Sequence, residues 1–286
     1  MGDHPPVTDF ATDFDHTDDV YAANPFPIWD ALRTSCPVAH TERYGGAWLP
    51  TTHADVAAIA YDTEHFTSRS VVMSPFRPPA ERAPQGVAPP ISSDPPFHKG
   101  ARRLLLPAFA PQAIDKLEPA TRAYCDELIE AMRGRDVVDA ATEYAQHIPV
   151  RVIANMLGFP LSDADRFRGF VNHVIENVSL PMEERAEGMM ALFAYLREQV
   201  EDHVAHPRDD LTSFLLAAEM DGEPLEPDHV VGTVGLLLLA GIDTTWSAIG
   251  ASIFHLASTP ADLERLVAEP DLRPVAMEEL LRAYAP

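Results

Sequence analysis

Cysteine, lysine and positive charge are all scarce in this chain. Its only cysteines are Cys36 and Cys125, far apart and unpatterned, and its only lysines are Lys99 and Lys116. Two isolated thiols build neither a disulfide framework nor a zinc cluster, and they suit a reducing compartment. The 44 acidic residues outnumber the 21 Lys and Arg, leaving a net charge of −23 and a pI near 4.7. Such a balance excludes a nucleic-acid surface and an anionic-membrane anchor, both of which select clustered cations. No GxSxG, GxxxxGK, GxGxxG or HExxH motif occurs, so hydrolase, NTPase and dinucleotide-binding chemistry have no support. The first ten residues have neither a basic nor an apolar leader region, and Pro6 stands where a myristoylation signal needs Ser or Thr. A cytoplasmic protein is the expectation.

Proline, frequent elsewhere, is absent from His229 to Ser258, which Pro227 and Pro260 bracket. This stretch predicts an unbroken helix of about 45 Å at ~1.5 Å per residue. From Val230 to Ile242 every residue except Thr233 is apolar or glycine, so the helix must be buried in a core or in a bilayer. Asp221, Glu223, Glu226 and Asp228 precede it and no Lys or Arg follows before Arg265, which is the wrong flank chemistry for a membrane span. A mid-span Asp243 would add a penalty of ~3 kcal/mol. The expectation is therefore a core helix with no membrane. Ala240-Gly241-Ile242-Asp243-Thr244-Thr245 cuts a polar notch into it, where Thr244 can donate to the Ala240 carbonyl one turn back and the small residues leave room for a ligand. An acid inside a buried helix needs a partner or water, and acids in cavities are functional candidates.

In chain order, residues 1 to 24 read as an acidic and aromatic strap. Pro25 to Arg33 reads as a short helix, Tyr44 to Thr52 as a hairpin and His53 to Ala60 as a helix. Eight prolines between Pro75 and Pro96 predict a long loop, a lid or binding segment if not a solvated linker. Asp94-Pro95-Pro96 then reads as a helix start with Asp94 as N-cap. On that helix His98 and Arg102 lie one turn apart, as two donors suited to carboxylates, with Lys99 and Arg103 forming a small basic patch beside them. Amphipathic helices are predicted over 112–133, 139–157, 162–179, 182–205 and 210–220. His203 and His206 have a spacing open to a metal but no patterned third ligand. After the long helix, one helix opens at Pro260 and another at Pro274, the latter placing Glu279 and Arg282 for an i, i+3 ion pair. No repeat or linker divides the chain, so 1–286 is expected to be one mainly α domain with a small β-sheet near its N-terminus.

These pieces together resemble the cytochrome P450 family of haem-thiolate monooxygenases in its soluble bacterial form. Asp94 to Arg102 (DPPFHKGAR) resembles its DPPxHxxxR helix, Ala240 to Thr245 its oxygen-binding AGx(D/E)TT groove, and Glu279-Leu280-Leu281-Arg282 its ExxR motif, in the family's order. The resemblance implies a helical P450-like fold and a haem b cofactor. It also implies oxygen insertion into a small hydrophobic substrate, with electrons from a ferredoxin or flavodoxin-like donor. Asp243 and Thr244 would deliver protons, His98 and Arg102 would hold the propionates, and Ala240 and Gly241 would make room for the group. Leu236, Leu239 and the loop 75–93 would face the substrate, and Glu279 with Arg282 would be structural. The family's iron ligand is a Cys in an FxxGxHxC loop downstream of ExxR. No such loop occurs here, so the ligand and the C-terminal part of the fold are expected to come from chain beyond these residues. Neither Cys36 nor Cys125 takes that role. A truncated or inactive remnant and a haem-free helical binding protein stay open as alternatives.

Overall fold

The computed structural model describes residues 5–73, 78, 80–176 and 182–284. The chain forms two compact units, one made of residues 1–104, 176–187 and 220–223, the other of the remaining segments.

The first unit contains α1 (Asp19–Ala23), α2 (Phe26–Ser35), strands β1 (Val38–Thr41) and β2 (Ala47–Pro50), α3 (His53–Tyr61) and α4 (Phe97–Leu105). β1 and β2 pair antiparallel with Thr41 opposite Ala47, so the hairpin's first strand lies upstream of the predicted one and Tyr44 sits in the turn. One cation makes several of the bonds that hold the N-terminal strap. Arg43 binds Asp13 through two nitrogens, each at 2.6 Å, and also donates to Asp15. Burial raises the Asp15 carboxyl, but hydrogen bonds from Tyr44, Thr17 and Arg43 together outweigh it and bring the pKa down to about 2. Rings of Phe14, Tyr21, Trp29 and Phe26 pack edge to face along the strap and α2.

Asp94 does not cap α4. Its carboxylate is used at longer range: Oδ1 accepts from the Ser68 backbone N–H at 2.7 Å and Oδ2 from the Thr67 hydroxyl, while only its backbone carbonyl accepts from His98. The proline-rich segment before it is internally bonded where it is described. Buried Ser92 accepts from the Ala88 N–H at 2.8 Å, and buried Ser93 donates to the Gln85 carbonyl at 2.5 Å. Residues 74–77 and 79 of the predicted substrate-facing loop lie outside the described residues.

The second unit is helical: α5 (Pro111–Asp115), α6 (Glu118–Met132), α7 (His147–Leu157), α8 (Ala164–Val171), most of α9 (Met182–Ala205), α10 (Leu211–Ala217), α11 (Pro227–Ser258), α12 (Pro260–Ala268) and α13 (Arg273–Ala283). The predicted helix 112–133 is two helices, because Pro119 enters in the first turn of α6 and starts a new helix there. A π-turn over Ala141–Ala145 leads into α7, and another follows α8. α10 ends at Ala217, short of the predicted 220, as the chain turns extended at Ala218. The core lies where α7, α8 and α10 cover α11, with Phe159, Phe167 and Tyr195 stacked beside them. α11 is long and apolar enough to cross a membrane by length and composition, but its first turns are enclosed by these helices.

The corner between α9 and α10 depends on one glycine. Gly158 caps α7 with φ +71°. Beside it, Asp210 caps α10 by accepting from the Ser213 N–H at 2.8 Å. His203 is held there by donating from Nδ1 to the Gln199 carbonyl at 2.6 Å. A Cβ on Gly158 would overlap the Asp210 carboxylate and come 2.8 Å from His203 Nε2. Gly134 has φ +78° and open space around its missing side chain. The Gly158→Ala variant is therefore expected to lose about 3 kcal/mol, from left-handed strain plus a broken buried cluster, whereas Gly134→Ala loses about 1 kcal/mol from strain alone. Urea unfolding midpoints of the two variants check the difference.

Candidate functional site

α11 runs unbroken over 32 residues, with Pro227 in its first turn, and stops at Thr259 ahead of Pro260. Its surroundings change along its length. His229 to Gly235, Leu238 and Ile242 are buried, Leu236 and Leu239 are half-buried, and Ala240, Thr244 and Thr245 are exposed. The Thr244 hydroxyl donates to the Ala240 carbonyl at 2.8 Å, the bond that their spacing predicts. Asp243 is half-buried and has an interaction partner. The notch thus brings an alcohol and an acid, adjacent in sequence, to the point where the buried helix opens.

Gly241 and Thr245 line a cavity of about 870 Å³ whose other walls come from α5, α6, α7 and Met277 of α13. Ile114, Ile129, Ile148, Val152 and Ile153 make much of it apolar, and Cys125 and Tyr144 add a thiol and a phenol. Burial, then a hydrogen bond with Cys125, pushes the Tyr144 hydroxyl up to about 12, so it remains a proton donor at neutral pH. The cavity is open to solvent, since Ile114, Ile129 and Met277 on its walls are exposed, and Asp115, Glu118, Arg122 and Asp126 also line it. On its other side Gly241 meets α7: a Cβ there would lie 3.3 Å from both Cγ1 and Cδ1 of Ile153.

In the first unit, α4 carries His98, half-buried, and Arg102, exposed, one turn apart, with exposed Lys99 and Arg103 on the same helix. Among the described residues Lys99, Arg102 and Arg103 make no ion pair, so these cations remain available to an anionic ligand. On α13, Arg282 grips Glu279 bidentately, Nε to Oε2 and Nη2 to Oε1 each at 2.7 Å. That hydrogen bond lowers Glu279 and raises Arg282, and both side chains are exposed. No group of three or more potential metal ligands occurs among the described residues, and His206 instead bonds Asp202. Tyr144, Cys125 and Ile153 carried no signal in the sequence, since nothing local to them marks the cavity they share.

A family model described as Cytochrome P450 matches residues 161–272. Cytochrome P450 107B1 of Saccharopolyspora erythraea is 32% identical over 279 residues, spanning 94% of this chain and 68% of that protein. The vitamin D(3) 25-hydroxylase of Pseudonocardia autotrophica is 32% identical over 268 residues, spanning 92% of this chain and 65% of that one. Among solved structures, the Mycobacterium marinum cytochrome P450 CYP268A2 in complex with pseudoionone superposes with a TM-score of 0.79 at 26% identity, covering 98% of this chain and 71% of that one. The chain spans about two thirds of the length of these relatives.

Proposed function

The chain belongs to the cytochrome P450 family, and from that premise we propose that it forms the larger part of a haem-dependent monooxygenase acting on a small hydrophobic molecule, with electrons from a ferredoxin or flavodoxin-like donor. The observation that carries the reading is the notch on α11, where a helix whose first turns are buried exposes Ala240 and Thr244 and fixes the Thr244 hydroxyl on the Ala240 carbonyl at 2.8 Å. Matches that run through more than nine tenths of the chain support treating 1–286 as one domain that spans about two thirds of its relatives' length. The cytoplasm is its proposed location.

Each unit carries residues that fit a haem: in the first, His98 and Arg102 are two donors, one turn apart, suited to its propionates, and in the second, Ala240 and Gly241 leave the notch free of side-chain bulk. Haem, when bound, supplies the oxygen activation and one-electron chemistry that no side chain here can perform. The chain's own work is to hold and move protons and to exclude water. Thr244 Oγ1 holds a proton where oxygen would be reduced, and half-buried Asp243 passes protons inward from solvent. Leu236, one turn before Ala240, and Leu239, next to it, give an apolar wall to a substrate. The vitamin D(3) and pseudoionone named for two relatives support a hydrophobic substrate class. Glu279 and Arg282 have a structural role within α13.

Three outcomes are expected. The longer polypeptide with its thiolate ligand, reduced under carbon monoxide, shows the red-shifted absorption of a thiolate-bound haem, and residues 1–286 loaded with haem do not; a thiolate band from 1–286 alone would place the ligand inside it. In the longer protein, Thr244→Ala turns over reductant with a several-fold smaller yield of oxidised product, because the proton held at Oγ1 is gone; full yield per reductant would remove Thr244 from proton delivery. Reversing charge at Lys99 and Arg103 slows electron arrival from an acidic donor and flattens its salt dependence, since steering between exposed charges is screened over ~10 Å at 0.1 M salt. Stopped-flow reduction across a salt series checks this.

A further inference from the structure

Gly241 and Ile153 meet at the closest approach of α7 to the notch. Ile153 is 5% exposed, and a Cβ built on Gly241 would stand 3.3 Å from its Cγ1 and Cδ1 and 3.7 Å from its Cβ. Two of these three atoms belong to the stiff part of the side chain. A β-branched residue in a helix holds one χ1 rotamer, so Cγ1 and Cβ cannot swing aside as Cδ1 can. α11 therefore rests against Ile153 by its bare backbone, one residue after Ala240 and two before Asp243. Moving α11 away from α7 by a few tenths of an ångström would shift the Ala240 carbonyl and the Thr244 hydroxyl together, because they are bonded at 2.8 Å.

We infer that Ile153 is a positioning residue: it sets the depth of α11 at the notch and so fixes where the Thr244 hydroxyl and the Asp243 carboxylate stand. The inference rests on the proposed role of those two groups for its functional meaning, but its physical content is a contact between two helices.

The test uses hydrogen exchange of residues 1–286, read by mass spectrometry on peptides covering the notch and, as an internal reference, the enclosed turns at 229–236. Gly241→Ala is introduced into the parent, the Ile153→Val and the Ile153→Ala backgrounds. In the parent the new Cβ meets all three atoms, and exchange at the notch is expected to rise about tenfold, ~1.4 kcal/mol, with the reference peptides unchanged. Ile153→Val removes only Cδ1 and should leave an increase of roughly threefold, whereas Ile153→Ala removes Cγ1 as well and should leave none, each measured against its own background. Helix propensity alone gives the opposite sign, since Ala favours a helix over Gly by about 1 kcal/mol, a roughly fivefold slowing. Slower exchange on Gly241→Ala in the parent, or an equal increase in all three backgrounds, overturns the inference. Product yield per reductant of the longer haem-loaded protein, measured on Gly241→Ala, separates the two readings. If exchange follows Ile153 while yield stays constant, Ile153 still sets the helix depth and the proton-delivery role of Thr244 and Asp243 fails instead.

Discussion

The second unit depends on covering α11. A helix of 32 residues with so little polarity cannot stand in water, and the hydrophobic effect, at roughly 25 cal/mol per Å² of apolar surface, drives its neighbours onto it. Small residues let them come close: a Cβ on Gly235 would lie 2.7 Å from Leu196 of α9, and one on Gly241 3.3 Å from Ile153 of α7. At the notch Ala240, Thr244 and Thr245 are exposed while Ile242 between them stays buried. Burial and chemistry therefore meet on one element, and the notch is held in place by packing before it and within it.

What the sequence made legible was local. The length of α11 follows from the absence of proline between two prolines. The bond from Thr244 to Ala240 and the pair between Glu279 and Arg282 follow from helical spacing, which places residues three or four apart on one face. The i, i+4 placement of His98 and Arg102 is legible for the same reason. Interactions that cross between elements left no such trace. Asp94 has the sequence context of an N-cap, yet its carboxylate is taken by Ser68 and Thr67, 26 and 27 residues earlier. Gly158 reads as punctuation between helices, and only the fold reveals that the Asp210 carboxylate occupies the space of its missing Cβ. The break between α5 and α6 was written locally in Pro119, but the strong apolar periodicity around it reads through the interruption.

The acidic excess is managed largely by geometry. All but two of the basic residues are arginine, and arginine is the cation whose planar fork matches a carboxylate. Arg43 on Asp13, Arg282 on Glu279 and Arg135 on Glu143 use two nitrogens each. The gain from such pairs depends on exposure. Arg43 is nearly buried at 8% and ties the strap to the hairpin, whereas Arg282 and Glu279 are 72% and 60% exposed and are screened by water and salt. The exposed pair, formed within one helix, therefore adds little to the stability of α13.

The cations of α4 depart from this pattern. Lys99, Arg102 and Arg103 occupy less than two turns of one helix in a chain of net charge −23, and none is paired among the described residues. Three like charges so close repel one another and weaken the helix that carries them. Anionic partners would relieve that repulsion: propionates on the face of Arg102 and His98, and an acidic protein surface at Lys99 and Arg103. The same argument gives the two faces different salt sensitivity. A contact with a bound group excludes water and is screened little, whereas a docking contact between exposed charges weakens within a Debye length. Ionic strength should therefore act on the electron donor well before it acts on the retention of haem.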